Sequence, residues 1–184
     1  MASVLWRNLE TAGMERCTLD RTSDGWRLAG TTLLAAEGHP REVRWTVLTD
    51  HEWRTLTVGA HDQTPESNRG LALSADGVGG WTAAGERLSG LEGAIDVDLS
   101  WTPATNTLPI RRLDLEIGDQ AETTVAWITF PGRDIRRVTQ RYERTGSTTY
   151  RFTSGDFSTA IEVAASGLIV DYPGFWVAEQ LENS

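Results

Sequence analysis

Hydrophobic and polar residues alternate with a period of two along most of the chain. The run REVRWTVLT at residues 41–49 places its valines and its tryptophan on one face and mostly charged or polar residues on the other. A polar break at Asp50 and His51 precedes a second alternating run, EWRTLTVGA, so the two runs predict a β-hairpin. The earlier segment GWRLAGTTLLAAEGH is long enough for one strand with a bend at Gly30.

About a dozen short segments share this pattern, at the spacing of roughly 8 to 12 residues that is typical of all-β domains. Gly, Pro, Ser or Asp separates them, and they are rich in Thr, Val, Trp and Tyr, which suit a half-buried pleated surface. The later segments are RLDLEIG, TTVAWITF, RRVTQRYER, TYRFTS, FSTAIEV and GLIVDY. The best helical candidate is the tail FWVAEQLENS, with one short turn near residues 64–70. The pattern therefore predicts an all-β sandwich, barrel or roll with little helix.

The length and the cysteine content favour one domain in a reducing compartment. A chain of 184 residues without repeat or linker suits a single domain spanning residues 1–184. Cys17, the single cysteine, reads as a small buried apolar residue. The start MASVLWRNLETAG lacks the basic and apolar regions of a signal peptide, and no apolar run approaches the ~18 residues of a membrane span. We therefore expect a soluble cytoplasmic protein without an integral membrane segment, and the sequence leaves monomer and dimer open.

The charge balance and several missing motifs disfavour whole classes of function. A formal net charge of -9 opposes binding to nucleic acid or to anionic membranes. All basic residues other than histidine are arginines, which excludes Schiff-base chemistry, pyridoxal-phosphate enzymes and Walker-type nucleotide hydrolases. The three histidines lie in or beside turns without metal-ligand spacing, and neither a GxSxG elbow nor a phosphate-binding glycine pattern occurs. We expect no cofactor and no metal.

Two carboxylates stand two residues apart in the alternating segment AIDVDLS. Asp96 and Asp98 on one strand face would lie roughly 6.5 to 7 Å apart. That separation is compatible with a glycosidase acid/base pair. The same alternation is more often the solvated face of an antiparallel sheet, so both readings stay open.

Arg111 occupies an unusual place in the pattern. A strand over residues 111–117 would put Arg111 on the face of the aliphatic residues of that segment. A buried cation is costly unless it is paired or faces a wet cavity. Arg111 is therefore either a structural arginine or a ligand-facing donor for a carboxylate, a phosphate or sugar hydroxyls. Eight tryptophans in the chain shift the balance modestly towards a ligand cavity.

Several long motifs carry a resemblance to a known family. The succession IDVDLSWTPATNTLPIRRL, AWITFPG, QRYERTGSTTYRFTS and GLIVDYPGFW resembles a bacterial family called the putative glycolipid-binding proteins, long known as a domain of unknown function. The resemblance covers nearly the whole chain. It implies an antiparallel β-roll, in which a long sheet curls on itself around a concave or enclosed space. The family brings no agreed catalytic residues.

The matched motifs supply the candidate site residues. We predict ligand binding by eight of them: Asp98, Trp101, Asn106, Arg111, Gln140, Tyr142, Asp171 and Tyr172. The motifs also contain Asp96, Ser100 and Thr102. Trp101 stands where the resemblance implies a smaller residue, so an aromatic ring lines or caps this region. Arg111 is expected to reach the interior and to pair with Asp98, with Asp171 or with a ligand.

Three functions follow as hypotheses. The first is non-catalytic binding of an amphipathic small molecule, such as a glycolipid, inside the roll, with Arg111, Asn106, Gln140 and Tyr142 orienting the polar head. The second is a cofactor-independent hydrolase, isomerase or cyclase in the same cavity. Its acid or base would be Asp96, Asp98 or Asp171, with Tyr142 or Tyr172 as donor, and a buried carboxylate with a raised pKa would favour it. The third is an interaction module whose roll is filled by its own side chains.

Overall fold

Within the residues that the structure describes, the fold is a single 15-stranded sheet that curls on itself without closing into a barrel, as the computed structural model shows. The structure describes residues 1–36, 38–64, 70–130 and 134–183. The first eight strands are β1 (Ala2–Asn8), β2 (Gly13–Arg21), β3 (Trp26–Ala36), β4 (His39–Thr49), β5 (Thr55–Asp62), β6 (Gly70–Ala75), β7 (Trp81–Ala83) and β8 (Glu86–Arg87). The all-β prediction is confirmed.

The second half of the chain carries the other seven strands and a short helical segment. The order is β9 (Asp96–Leu99), a single 3-10 turn (Ala104–Asn106), α1 (Thr107–Leu113), β10 (Gln120–Ile128), β11 (Ile135–Arg144), β12 (Thr149–Ser154), β13 (Phe157–Val163), β14 (Ile169–Tyr172) and β15 (Trp176–Asn183). None of the helical segments in the described residues is long and apolar enough to cross a membrane.

Two meanders meet at the middle of the sheet. Strands β1 to β8 follow one another on one side, β15 back to β9 follow on the other, and the first and last strands, β1 and β15, pair with each other. All strand pairs in the described residues are antiparallel except β9 with β10. A parallel pair needs a crossover connection, and the segment with α1 provides it.

The curl of the sheet brings its far edge back onto the opposite half. The amide of Thr55 donates to the carbonyl oxygen of Ile95 at 3.2 Å, and the amide of Val97 donates to the Thr55 hydroxyl at 3.1 Å. β9 therefore runs through the interior beside β5, with Asp96 and Leu99 both fully buried. The reading of the Asp96 and Asp98 face as a solvated sheet face is wrong, because this strand is covered on both sides.

The space inside the roll is occupied by the chain itself. Residues 101–110, which comprise the end of the loop after β9, the 3-10 turn and the first part of α1, are all buried. They belong to one core cluster with apolar residues of both meanders, such as Leu28 of the first meander and Ile161 of the second. The interior is thus largely a packed core, as the third hypothesis requires.

Most local predictions from alternation are confirmed. β4 and β5 form the predicted hairpin, with the amide of Arg54 donating to the Asp50 carboxylate at 2.8 Å in the turn. Gly30 allows the indole of Trp45 to lie against β3, since a Cβ there would approach the ring to 2.5 Å. Cys17 is fully buried, as expected.

Two local predictions are wrong. The segment after the prolines is not a strand carrying Arg111: α1 includes Pro109 in its first turn, where a missing amide is tolerated, and ends before Asp114 at φ 44°. Ile117, expected on the buried face, is 61% exposed. The tail is strand β15 instead of a helix, because β1 and β14 pair with it on both sides. In the turn predicted near 64–70, residues 65–69 lie outside the described residues.

Candidate functional site

An open pocket of about 370 Å³ lies at one end of the roll. Successive strands of a meander run in opposite directions, so the start of one strand lies beside the end of the next. This end of the roll therefore contains the start of β1, the end of β2, the start of β3 and the β4–β5 turn. We call this space the roll-end pocket. Its lining residues are Met1, Ala2, Leu19, Arg21, Trp26, Trp53, Arg111, Ala165 and Ser166.

Two stacked indoles form one wall of the roll-end pocket. The rings of Trp26 and Trp53 lie 4.5 Å apart between centroids at an interplanar angle of 14°. The Arg21 guanidinium lies 5.9 Å from the centre of the Trp26 ring, and the Arg111 guanidinium lies 5.4 Å from that of Trp53. Each ring therefore carries a cation within the distance of a cation–π interaction.

Two tight turns bring the indoles together. Gly25, directly before Trp26, has φ 152°, and a Cβ there would come within 2.1 Å of the Thr49 carbonyl oxygen. Trp53 itself has a left-handed backbone with φ 67°, in a turn where its amide donates to the Asp50 carbonyl oxygen at 3.2 Å. A left-handed tryptophan is rare and costs backbone energy, so the surrounding turn holds it in place.

Arg111 reaches the pocket from the last turn of α1. Its aliphatic stem passes over Gly167, where a Cβ would lie 2.8 Å from the Arg111 Cδ. Its Nη1 donates to the Ala165 carbonyl oxygen at 3.5 Å, and Thr107 fastens the same loop by donating to the Gly167 carbonyl oxygen at 3.0 Å. The structure places this exposed guanidinium at Trp53 and Ala165, so the expected pairing with Asp98 or Asp171 is wrong. Its role in ligand binding stays a prediction.

The neighbouring Arg112 is only partly exposed and points into the interior. Arg112 makes two hydrogen bonds to the fully buried Asp96, from Nε to Oδ1 at 3.0 Å and from Nη2 to Oδ2 at 2.6 Å. The hydroxyl of Thr123 donates to the same carboxylate at 2.8 Å. Helical spacing does not show which of the two arginines turns inward. Each lies four residues after a fully buried residue, Arg111 after Thr107 and Arg112 after Leu108.

Four of the eight predicted site residues come together in one interior network. Gln140 donates from Nε2 to Asp98 Oδ2 at 2.5 Å, and the Tyr142 hydroxyl donates to Asn106 Oδ1 at 2.8 Å. The Tyr142 hydroxyl also lies 3.3 Å from Gln140 Oε1. Thr105 adds a longer hydrogen bond of 3.4 Å to Asp98 Oδ1. We call this set the Asp98 network.

Burial sets the electrostatics of the Asp98 network. Burial raises the pKa of Asp98 to about 6, although hydrogen bonds from Gln140 and Thr105 oppose the shift. Burial, reinforced by the Asp98 carboxylate, raises the pKa of the Tyr142 and Tyr172 hydroxyls above the usual tyrosine value. Tyr172 is partly exposed and packs in an aromatic cluster with Phe152 at 6.0 Å between ring centroids. The ring of Phe152 also lies 5.2 Å from that of Tyr142, so the aromatic cluster leads from the Asp98 network to the partly exposed Tyr172.

The remaining two candidates lie elsewhere. Trp101 is buried against Phe130, 5.6 Å between ring centroids, and lines a narrow slot at the opposite end of β4 from the roll-end pocket. Its Nε1 has no hydrogen-bond partner among the described residues. Asp171 pairs with Glu162 and Val177 within the sheet, and strand alternation turns its side chain away from the face of Tyr172.

The sequence did not lead us to predict the buried carboxyl of Glu15. Glu15 is 1% exposed and accepts hydrogen bonds from the hydroxyls of Thr32 at 2.6 Å and Thr102 at 2.5 Å, which tie β2 and β3 to the interior segment. Burial raises its pKa to about 8. The signal was present, since Glu15 shares its strand phase with the apolar residues Cys17 and Leu19.

Comparisons with known proteins agree along nearly the full length. The family model described as "Putative glycolipid-binding" matches residues 3–178. A solved structure of a DUF1089 family protein from Pseudomonas aeruginosa is 30% identical, superposes with a TM-score of 0.80, and the match covers 88% of this chain and 89% of that chain. No curated protein matches the sequence. The matched range contains the Asp98 network, both stacked indoles and both adjacent arginines.

Proposed function

Because the chain belongs to the Putative glycolipid-binding family, we propose that it binds an amphipathic small molecule, such as a glycolipid, in the roll-end pocket without chemical conversion. The observation that carries this proposal is the stack of Trp26 and Trp53 with the Arg21 and Arg111 guanidinium groups over the rings. The stack borders a space of about 370 Å³, which is within the usual range for a small-molecule site.

The pocket has the two surfaces that an amphiphile needs. Met1, Ala2 and Leu19 offer apolar contact for a chain, and the edges of the stacked indoles extend this apolar wall. Guanidinium groups donate several hydrogen bonds in a fixed plane, which suits the oxygens of a polar head. Arg111 is already oriented by Gly167 and Ala165, so little side-chain freedom is lost on binding.

The end of the roll is a better location than its interior. Residues 101–110 occupy the interior, and a ligand there would have to displace packed residues such as Leu108 and Ala104, both fully buried. The roll-end pocket needs no such rearrangement.

A second candidate function rests on Asp98. A carboxyl with a pKa of about 6 can accept a proton near neutral pH, which suits general acid–base catalysis. Tyr172 stands close by and is partly exposed, so it could contact a substrate. This second function is a cofactor-independent hydrolase, isomerase or cyclase, and it would use a different part of the molecule from the roll-end pocket.

Native mass spectrometry of the freshly purified protein tests the leading proposal. We expect an additional mass that solvent extraction identifies as an amphiphile, and quenching of tryptophan fluorescence when dodecyl maltoside is added below its micellar concentration. Trp53→Ala and Arg111→Ala should remove both signals. Arg136→Ala is the matched control, since that guanidinium lies 4.6 Å from the centre of the Trp127 ring on another part of the sheet. If all three variants bind like the wild type, the roll-end pocket is not the site.

A further inference from the structure

A row of small residues crosses the outer face of the first meander at right angles to the strands. Strand pairing places one member on each of β2, β3, β4, β5 and β6. The row consists of Thr18, Ala29, Thr46, Gly59 and Ala72. Their chain neighbours on the opposite face, such as Cys17, Val47 and Val58, are buried in the core, so this row faces outward.

The next row along the strands carries long basic side chains. Arg16 pairs with Thr31, Thr31 pairs with Arg44, and Arg44 pairs with His61. The two arginines are therefore two strand spacings apart, about 10 Å, with a threonine between them. Small residues beside long ones produce a groove, and we call it the outer trench.

The outer trench is a real and sizeable space. Both rows line one open cavity of about 680 Å³. Five strands at about 4.8 Å give it a length of about 19 Å. At Gly59 nothing lies within 4 Å of the position that a Cβ would occupy, so the floor is open over β5.

The charge of the trench is opposite to that of the whole protein. Arg16, Arg44 and His61 line it, and among the described residues that line it none is an aspartate or a glutamate, although the chain has a formal net charge of -9. Glu42, outside the trench, pairs with Arg44 at 2.8 Å, while Arg16 has no ion pair with a carboxylate among the described residues. Beyond Arg16 the adjoining space over β1 and β15 is lined by Glu182, so the favourable region for an anion ends there.

We propose that the outer trench binds a linear anionic saccharide. Its length fits several sugar units laid across the strands, and guanidinium groups two strands apart fit carboxylate or phosphate groups on alternate units. The hydroxyls of Thr18, Thr31 and Thr46 offer hydrogen bonds to sugar hydroxyls, and the missing side chain at Gly59 lets a ring approach the backbone. The trench shares no lining residue with the roll-end pocket, so this site is additional to the proposed function.

Isothermal titration with two carbohydrate probes tests the site. Hexagalacturonate is the anionic probe and maltohexaose is the neutral one. We expect binding of the anionic probe, weakened by added salt because exposed charges are screened, and no comparable binding of the neutral probe. Phosphatidylcholine vesicles that carry a sialylated glycolipid form a second arm, which shows whether the anionic saccharide is recognised free or as a lipid head group.

Substitutions within the outer trench test whether the anionic probe binds there. Gly59→Leu should weaken binding by at least about tenfold, because a side chain at that position projects into the trench and meets no protein atom. Arg16→Glu should do the same through charge. Ala160→Leu on β13 is the matched control, since it places the same side chain at an exposed strand position elsewhere, and thermal unfolding verifies that all three variants fold. Binding of neither anionic probe, or binding that both trench variants leave unchanged, overturns the proposal.

Discussion

The fully buried Asp96 and the partly buried Arg112 form a two-point ion pair that joins β9, α1 and β10. Asp96 begins β9 and Arg112 lies in the last turn of α1, and the bonds of 3.0 and 2.6 Å between them are supplemented by Thr123 of β10. These elements make up the parallel crossover at the inner edge of the sheet. The pair thus fixes how the last strand of the sheet returns into the interior.

Replacing each of the two adjacent arginines shows which one stabilises the fold. Arg112→Ala leaves the Asp96 carboxylate buried without its cation and should lower the free energy of unfolding by about 3 to 5 kcal/mol. Arg111→Ala removes an exposed cation–π contact and should cost only about 0.5 to 1 kcal/mol. Urea unfolding at pH 7 measures both values. Similar losses in the two variants would contradict the assignment of Arg112 as the structural arginine.

Glu15 should make the protein less stable as the pH rises. Its folded-state pKa of about 8 lies above the ordinary value of 4.5, so the folded state holds the proton more tightly than the unfolded state. Its contribution to stability is complete below pH 4.5 and is lost as the pH rises to about 8, an effect on the order of 5 kcal/mol. Glu15→Gln cannot ionise, so its stability relative to the wild type should increase across this window.

Urea unfolding of the wild type and of Glu15→Gln at pH 5, 7 and 9 provides the measurement. The comparison isolates one residue, because all other titrating groups are shared by the two proteins. A constant difference at the three pH values would mean that Glu15 does not titrate as its burial indicates.

The alternation of hydrophobic and polar residues was sufficient to predict most of the strands, because every second residue of a half-buried strand is apolar. β4 shows this directly, with Val43, Trp45 and Val47 buried and Arg44 exposed. The prediction of a helix for the tail was wrong because its structure depends on residues far away in the sequence. AEQLEN has helix-forming residues, and its strand state depends on β1, whose Ala2 pairs with Asn183 at the other end of the sequence.

The candidate site was predictable where polar residues fall on apolar strand faces. Gln140 and Tyr142, which the matched motifs supplied, stand two residues apart on one face of β11, and both are buried in the Asp98 network. The predicted position of Arg111 was wrong because the segment is a helix and not a strand, and the two structures point the same side chain in different directions. The stack of Trp26 on Trp53 could not be foreseen, since it depends on a left-handed backbone at Trp53.

Tyr142→Phe should destabilise the interior. The change removes the hydroxyl that donates to Asn106 Oδ1 and leaves that oxygen buried without this donor, at a cost of about 1 to 3 kcal/mol. Tyr150→Phe is the control, because Tyr150 lies on the neighbouring strand with its ring near Arg144 and outside the Asp98 network. Chemical unfolding of both variants should show the larger loss for Tyr142→Phe, and equal losses would argue against the network as a stabilising unit.

Gly167→Ala should weaken ligand binding at the roll-end pocket more than its effect on stability explains. Gly167 has φ 88° and Gly174 has φ 82°, so alanine at either position meets a similar backbone penalty of about 1 to 2 kcal/mol. Only at Gly167 would the new Cβ lie 2.8 Å from the Arg111 Cδ, whereas at Gly174 nothing lies within 4 Å. Gly167→Ala must therefore push Arg111 away from Trp53, and Gly174→Ala must not. Dodecyl maltoside titration followed by tryptophan fluorescence should show weaker binding for Gly167→Ala alone, and equal binding by the two variants would mean that the position of Arg111 over Trp53 does not matter for the ligand.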